Sequence, residues 1–295
     1  MTDELRIDSR PQLERPVLIA AFRGWNDGGQ GASLAAAYLA RAWAAVEFAT
    51  IDPENFYDFQ ATRPTVSLVD GYTRQIGWPE NTFMHSPLPG AGRDAIIMLG
   101  VEPNLRWRTF GELVTGLAKS FDVELVITLG SLLADVPHTR ASPVTGSATD
   151  PQLIEQLGLQ ASRYEGPTGM VGVLHDACAR AGLKSASLWA AVPHYVSLTP
   201  SPRAAKALVD RLASLLGADV DSSELEEAAE SYAQQVSEAV ASDEETAAYV
   251  QELERRVDEL AAEGEIPSGD SIAAELTRFL RERERDQGDD DVARG

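Results

Sequence analysis

The sequence predicts an α/β protein, with a three-layer α/β/α body around a mainly parallel sheet and an all-α extension at its C-terminal end. Short runs of aliphatic and β-branched residues alternate with longer segments of helical periodicity up to about residue 217. These runs are mostly apolar, which is typical of strands buried on both faces of a parallel sheet. After residue 217 the apolar residues recur only at helical spacing, and the positions between them are mostly acidic.

The elements of the body follow from these runs in chain order. The first buried strand is predicted at residues 16–22 and the first helix at 33–46. In TVSLV-DG-YTRQI, Asp70-Gly71 favours the two-residue turn of a β-hairpin, because both positions tolerate a positive φ. EFATI and NTFMHS are interpreted as further strands. The remaining buried strands are predicted at 94–101, 123–131 and 185–193, and the remaining helices at 110–118, 169–182 and 202–216.

Three amphipathic helices are predicted after residue 217. Ser223 with Glu226, and Ser242 with Glu245, have the spacing of the capping boxes that open helices. A third apolar stripe runs from residue 272 to residue 280. Such narrow stripes bury little area alone, so we expect the helices to dock on the body or on a second subunit. The chain is therefore divided into a body at 1–217, an acidic helical appendage at 218–285 and a disordered tail at 286–295.

The net charge of −21 is concentrated in the C-terminal part of the chain. From residue 218 onward 24 acidic and 7 basic residues give −17, whereas the first 217 residues carry 22 and 18, which gives −4. A surface of this sign repels phosphate groups, so neither nucleic acid nor an anionic membrane is expected as a partner. MTDELRIDSR lacks the apolar stretch of a secretory signal, and Cys178 is the single cysteine, so a cytoplasmic location is expected.

The loop FRGWNDGGQGAS connects the first predicted strand to the first helix, which is a usual geometry for phosphate binding. Aligned on a P-loop, it has Gln30 in place of the lysine and Gly31 in place of the Ser or Thr, so a P-loop NTPase is excluded. The dinucleotide pattern G-x-G-x-x-G is absent as well. A backbone turn with Asp27 near a helix N-cap is therefore favoured over ligand contact by Asp27, Gly28, Gly29 and Gly31.

Four further polar clusters contain candidate binding residues. GVEPNLRWR contains Glu102, Arg106 and Arg108, which form either a carboxylate and bidentate-arginine site or a surface salt-bridge network. A long loop at 130–150 is either functional or flexible. The candidates in the other clusters are Gly130, His138 and Arg140 in this loop, Thr168 and Gly169 in YEGPTGM, and His194 in VPHYV.

Four of the five clusters follow predicted parallel strands at their carboxyl ends. These ends lie at one edge of a sheet, and open α/β folds place their binding sites there. YEGPTGM need not follow a strand, but it is able to close over the same crevice.

Complete catalytic and metal-binding patterns are not found in the sequence. Ser131 lies in LGSLL and not in G-x-S-x-G, so a hydrolase nucleophile is not supported. The four histidines are scattered without the spacing of metal ligands, so no metal site is expected. No other cofactor is expected either, because the P-loop and dinucleotide patterns are absent.

Five motifs in a fixed order resemble the proteasome assembly chaperone family, second-subunit type. They are FRGWNDGGQGAS, GVEPNLRWR, LGSLLADVPHTR, GPTGMVGVLHDACARAG and SLWAAVPHYVS, between about residues 15 and 216. The chain is similar to bacterial members with a helical C-terminal extension. The resemblance implies a fold similar to nucleoside phosphorylases, a homo-oligomer such as a trimer, and protein partners that include proteasome subunits. Chaperones that dock on proteasomes often end in hydrophobic–Tyr–X, whereas this chain ends in DDDVARG, so docking through this terminus is not expected.

Two functions from different classes follow from these observations. The first is a non-enzymatic protein-binding chaperone or scaffold, linked to proteasome assembly by the resemblance. The alternative is a small-molecule-binding enzyme, phosphorylase-like or carboxylate-amine-ligase-like, that uses the carboxyl edge of the sheet.

Overall fold

A sheet of eight strands forms the middle layer of the molecule, and a separate two-stranded hairpin stands apart from it. The computed structural model describes residues 4–148, 150–159, 161 and 164–263, so the predicted helix at 272–280 and the predicted tail at 286–295 lie outside it. The strands are β1 Leu5–Ile7, β2 Val17–Arg23, β3 Val46–Ile51, β4 Thr65–Val69, β5 Thr73–Gly77, β6 Asn81–Leu88, β7 Arg93–Val101, β8 Leu125–Ala134, β9 Val144–Ala148 and β10 Ser185–Pro193.

The large sheet has a parallel centre and antiparallel flanks. Its order is β1-β3-β6-β7-β2-β8-β10-β9, and the four strands β7, β2, β8 and β10 run parallel, as predicted for the buried runs. The other neighbours pair antiparallel, so the whole sheet is mixed. Residues 89–92 join β6 to β7, and a connection this short permits only an antiparallel hairpin.

Helices cover both faces of the parallel centre, which gives the α/β/α layering. Alternate residues of β2 point to opposite faces, so that Val17 and Ile19 pack in one core and Leu18 and Ala20 in the other. The first core contains α1 and α5, and the second contains α2 and α4. The helices are α1 Gly31–Ala42, α2 Trp107–Ser120, α3 Pro151–Leu157, α4 Met170–Ala181, α5 Pro202–Leu216, α6 Ser223–Ala241 and α7 Glu244–Glu263.

Two elements occupy the segment that was expected to be a long loop. β8 continues to Ala134, and β9 then returns to pair antiparallel with β10 at the edge of the sheet. The sequence VTGSA of β9 is weakly apolar, because an edge strand with one paired side needs little apolar surface. The short helix α3 follows β9, and the carboxylate of Asp150 accepts a hydrogen bond from the backbone N–H of Gln152 at its start.

The two predicted capping boxes after residue 217 are wrong, because aspartates provide the caps. α6 begins at Ser223, and Oδ1 of Asp221 accepts a hydrogen bond of 3.0 Å from the Ser223 backbone N–H. α7 begins one residue after Asp243, whose carboxylate accepts hydrogen bonds from the backbone N–H of Glu245 at 3.1 Å and the hydroxyl of Thr246 at 2.6 Å. An ionised carboxylate is a stronger acceptor than a serine hydroxyl at such a position.

The helices after residue 217 pack on the body and on each other. Leu225 of α6 is buried in the core that contains α1 and α5, and Tyr232 donates a hydrogen bond to the Leu198 carbonyl oxygen. Val250 and Leu253 of α7 are buried as well. Among the described helices, no segment has the length and apolar character that crossing a membrane requires.

Candidate functional site

The carboxyl ends of the four parallel strands form one edge of the sheet, which we call the carboxyl edge. It is defined by Arg23 of β2, Val101 of β7, Ala134 of β8 and Pro193 of β10. The glycine loop after β2 and the segment after β10 both form backbone hydrogen bonds with the C-terminal half of β8. The backbone N–H of Ser131 donates to the Asn26 carbonyl oxygen at 2.9 Å, and that of His194 donates to the Ala134 carbonyl oxygen at 3.2 Å.

Asp27 in the glycine loop is a buried cap of α1. Its Oδ1 accepts hydrogen bonds from the backbone N–H groups of Ala32 at 2.9 Å and Ser33 at 3.1 Å. The hydroxyl of Ser33 donates to Oδ2 at 2.5 Å, and the hydroxyl of Ser131 lies 3.3 Å from Oδ1. Burial raises the pKa of Asp27 above its usual value, whereas the hydrogen bonds from Ser33, Ala32 and Ser131 lower it. The carboxylate is thus fully occupied by internal donors, in agreement with the turn-and-cap interpretation.

The glycines of this loop allow close packing on neighbouring elements. A methyl group at Gly31 would lie 2.8 Å from Cβ of Ala204, and one at Gly29, where φ is +58°, would lie 2.9 Å from Val192. One at Gly28 would lie 3.1 Å from the carbonyl oxygen of Ser131. The space over these glycines is therefore filled by β8, β10 and α5.

Glu102, just after β7, connects the glycine loop to the start of α4. Its Oε2 accepts a hydrogen bond of 3.0 Å from the backbone N–H of Trp25, and its Oε1 accepts one of 2.6 Å from that of Met170. A methyl group at Gly169 would lie 2.6 Å from Oε1 of Glu102 and 2.1 Å from Oδ1 of Asn26. The segment before α4 therefore closes over the loop after β2, as the sequence allowed, and Thr168 next to it is exposed.

The predicted carboxylate–arginine site at 100–108 does not form. Arg106 pairs with Glu4 instead of Glu102: its Nη1 lies 2.5 Å from Oε1 of Glu4, and its guanidinium stacks 5.6 Å from the Phe56 ring centre. Arg108 is exposed on α2. Local sequence patterns do not indicate the partner Glu4, because it lies about a hundred residues before Arg106 in the chain.

Gly130 lies inside β8, where the indole ring of Trp189 covers it. A methyl group there would lie 2.4 Å from Cε3 of Trp189 on the neighbouring strand β10. The glycine is thus required by the packing of two strands.

α6 and α7 cover the carboxyl ends of β8 and β10 by contacts with predicted site residues. Nε2 of His138 lies 3.0 Å from the hydroxyl of Ser237 on α6. Arg140 forms a bidentate pair with Asp258 of α7, with Nε and Nη2 at 2.9 and 2.7 Å from the two carboxylate oxygens. The ring of His194 lies 5.6 Å from that of Tyr249 on α7. Three candidate binding residues are therefore used to hold the C-terminal helices in place.

A hydrogen-bonded aromatic cluster lies under these helices. The hydroxyl of Tyr195 lies 2.9 Å from Nδ1 of His138 and accepts a hydrogen bond of 2.8 Å from the His138 backbone N–H. Burial raises the pKa of Tyr195 to about 12 and lowers that of His138, so both side chains are neutral at pH 7. Nδ1 of His194 lies 3.2 Å from Oδ1 of Asp135. The cluster is a packed contact between the body and α6–α7.

A small cleft remains between the loop after β8, the start of α5 and α6. Its free volume is about 10 Å³, roughly the space of one water molecule. Small-molecule sites usually measure about 300–1,000 Å³, so this cleft does not hold a whole substrate. The side chains that line it include His138, Arg140, Ser142, Ser201, Arg203 and Tyr232.

A half-buried histidine on α4, His175, predicts a dependence of stability on pH. The two ring nitrogens of His175 lie 3.0 Å from the hydroxyl of Thr128 and 2.8 Å from that of Ser185, and burial lowers its pKa from 6.5 to about 4. The unfolded chain therefore takes up a proton at a higher pH than the native protein does, so stability falls as the pH drops from 6.5 towards 4. His175 contributes a loss of about 1 kcal/mol between pH 6.5 and about pH 5.5.

Urea unfolding of the native protein and of the His175→Gln variant at both pH values checks this expectation. The variant lacks the titrating group and should lose less stability over this interval. Equal losses in the two proteins would show that His175 is not held neutral.

The sequence patterns did not identify several residues that organise the carboxyl edge. Ser33, Ser237 and Asp258 hold predicted site residues. The partners of Ser237 and Asp258 are remote in the chain, whereas Ser33 follows its partner Asp27 within the same loop and helix start. Arg203 is not among the predicted site residues, although SPR at 201–203 contains a signal for it. The signal is a cation in the first turn of a helix, where it opposes the helix dipole. Within residues 4–148, 150–159, 161 and 164–263, no group of three His, Cys, Asp or Glu side chains is arranged to hold a metal ion.

Comparisons with known proteins identify relatives of this chain. The model of the PAC2 family matches residues 21–240. A PAC2 family protein from Streptomyces avermitilis is 45% identical over 80% of this chain and 99% of its own, with a TM-score of 0.74. A proteasome-assembly chaperone homologue from Mycobacterium tuberculosis is 46% identical over 79% of this chain and 99% of its own, with a TM-score of 0.72. A protein of unknown function from the same organism is 26% identical over 94% and 97%, with a TM-score of 0.81. No match was found among the curated proteins.

Proposed function

The chain belongs to the PAC2 family, and from this premise we propose that it is a non-enzymatic, protein-binding chaperone or scaffold that acts in proteasome assembly. One contrast carries the proposal. Most of the predicted polar groups at the carboxyl edge are engaged in internal contacts, whereas six of the ten exposed large hydrophobic residues of the described chain lie on or next to the hairpin β4–β5.

The hairpin and the residue after it present large apolar side chains that are exposed in the described part of the chain. Of the ten large hydrophobic residues that are exposed there, six lie between residues 66 and 78. Val66 pairs with Ile76 and Leu68 pairs with Arg74, so these four side chains share one face, while Ser67 and Gln75 share the other. Val66 and Leu68 are each 60% exposed and Ile76 is 53% exposed. An isolated two-stranded hairpin is marginally stable in water, and an exposed apolar face of this kind is typical of an interface.

A second copy of the chain is the proposed occupant of this apolar face, and the protein is therefore a homo-oligomer, with a trimer as one arrangement. The hairpin segment 63–78 carries Arg63, Arg74 and Asp70, which gives +1, whereas the whole chain carries −21. Opposite charges favour the approach of the hairpin to the acidic surface of another copy. The apolar face then supplies the buried contact.

The link to the proteasome rests on the Mycobacterium tuberculosis relative that is named a proteasome-assembly chaperone homologue. Its identity of 46% over 99% of its own length and 79% of this chain supports a shared role, and we propose proteasome subunits as partners. A cytoplasmic location accompanies this role. The carboxylates of Asp27 and Glu102 at the carboxyl edge both accept internal hydrogen bonds, which argues against the enzymatic alternative.

Purified proteasome α- and β-subunits from the native host test the proposal. The full chain should bind at least one of the subunits in size-exclusion chromatography and should accelerate the appearance of the complete core particle. If it binds none of them and leaves the rate of assembly unchanged, the proposed function is wrong.

A further inference from the structure

Arg203 is a half-buried cation without a counter-ion among the described residues. It is the second residue of α5, after the cap residue Ser201 and Pro202, and it forms neither a hydrogen bond nor an ion pair with any described group. Burial lowers the pKa of its guanidinium. A positive charge in the first turn of a helix is also unfavourable, because the helix dipole is positive at that end. The described part of the chain therefore offers this charge little compensation.

The surroundings of Arg203 are poor in negative charge, although the chain carries −21. It lines the small cleft together with His138, whose pKa burial lowers, so that this ring is neutral. Arg140 also lines the cleft, but Asp258 and Glu254 neutralise it. The residues that line the cleft include no carboxylate. Arg203 is thus the group that gives the cleft an unbalanced positive charge.

We propose that the cleft is a binding site for a small oxyanion, a phosphate or carboxylate group held by the guanidinium of Arg203. The planar guanidinium matches the paired oxygens of both groups and forms charge-assisted hydrogen bonds with them. The hydroxyls of Ser142 and Tyr232 already donate to carbonyl oxygens of Ala191 and Leu198, so Arg203 supplies the donors for the anion.

The size of the cleft determines how the anion enters. A free volume of about 10 Å³ admits one water-sized atom, so oxyanion oxygens enter and the remainder of the ligand stays at the solvent-open side. Tyr232 of α6 forms one wall, so a bound anion would stabilise the packing of α6 on the start of α5. The site involves no reaction, and its existence does not depend on the proposed role in proteasome assembly.

Titration of the full-length protein with sodium phosphate or sodium acetate, against sodium chloride at equal ionic strength, tests the site. Isothermal calorimetry and thermal unfolding are recorded for the native protein, Arg203→Met, Arg203→Lys and Lys206→Met. The last variant is the matched control, because it removes one positive charge from the same helix outside the cleft. Binding should be retained in Lys206→Met, weakened in Arg203→Lys and reduced roughly tenfold or more in Arg203→Met.

The two anions show which group the site binds. Binding of phosphate alone assigns a phosphate group, and binding of acetate alone assigns a carboxylate. In chloride, Arg203→Met should melt no lower than the native protein, because the substitution removes a half-buried charge that has no counter-ion among the described residues. The proposal is overturned if neither anion binds the native protein, or if Arg203→Met binds as well as Lys206→Met. It is also overturned if Arg203→Met is destabilised in chloride, since that result would reveal a structural partner.

Discussion

Replacement of Asp27 by alanine should lower the free energy of unfolding by about 3 kcal/mol. Its carboxylate accepts hydrogen bonds from two backbone N–H groups at the start of α1 and from the hydroxyl of Ser33, and the residue is 7% exposed. Alanine removes the main acceptor of these buried donors. Only longer contacts remain for two of them, from the Ala32 N–H to Oγ of Ser131 at 3.2 Å and from the Ser33 hydroxyl to the Gln30 carbonyl oxygen at 3.5 Å. Urea unfolding followed by circular dichroism measures the loss.

Two variants serve as controls for this expectation. Asp27→Asn keeps an acceptor oxygen for the backbone N–H groups and removes the buried charge, so it should cost less than alanine. Asp243→Ala removes an exposed cap at the start of α7 and should cost about 1 kcal/mol. If Asp27→Ala is no more destabilising than Asp243→Ala, the carboxylate is not the buried cap described here, and a role towards a ligand would have to be considered again.

Local sequence patterns predicted the centre of the fold well. The runs at β2, β7, β8 and β10 are apolar on both faces, and only a strand covered by two helical layers needs such a run. The Asp70-Gly71 turn was equally clear: both residues have positive φ, at 54° and 77°, and join β4 to β5.

Edge strands and helix caps were harder to predict. The sequence of an edge strand is only weakly apolar, and several neighbouring residues have side chains that are able to cap a helix. β9 has one paired side and little apolar character, so its sequence is that of a loop. Ser223 and Ser242 have the spacing of cap residues, but the neighbouring carboxylates of Asp221 and Asp243 accept the hydrogen bonds. Residue spacing alone cannot show which of two acceptors within two residues of each other caps the helix.

The arrangement of the carboxyl edge depended on contacts between remote parts of the chain. The sequence placed the polar clusters at one edge through the strand order, but the use of each side chain depended on its partner. Glu102 meets the start of α4 at Met170, and Arg140 meets Asp258 on α7. No periodicity or motif indicates such pairings. Residues whose chemistry suited them to ligand binding therefore form internal contacts in the structure.

Introduction of Val66→Glu with Ile76→Glu should dissociate the proposed oligomer into single chains of 31.8 kDa. Each apolar side chain contributes roughly 1.5–3 kcal/mol when it is fully buried, and a glutamate in its place must be desolvated without a partner. The acidic chain also adds charge repulsion between copies. Light scattering coupled to size-exclusion chromatography measures the mass of the native protein and the variant.

The opposite face of the hairpin offers a matched control. Ser67→Glu with Gln75→Glu adds the same two charges to the same pair of strands, but on the polar face. This variant should retain the mass of the native protein. Dissociation of both variants would mean that added charge, and not the loss of the apolar face, separates the copies.

Amide hydrogen exchange of residues 65–77 in the unmodified protein tests the central claim most directly, because it reports whether another molecule covers the hairpin. An uncovered two-stranded hairpin opens readily and exchanges fast. The account predicts slow exchange at these amides in the native protein and fast exchange in the Val66→Glu, Ile76→Glu variant. Equally fast exchange in the two proteins would contradict a protein–protein interface on the hairpin and, with it, the proposal that the chain acts through this surface.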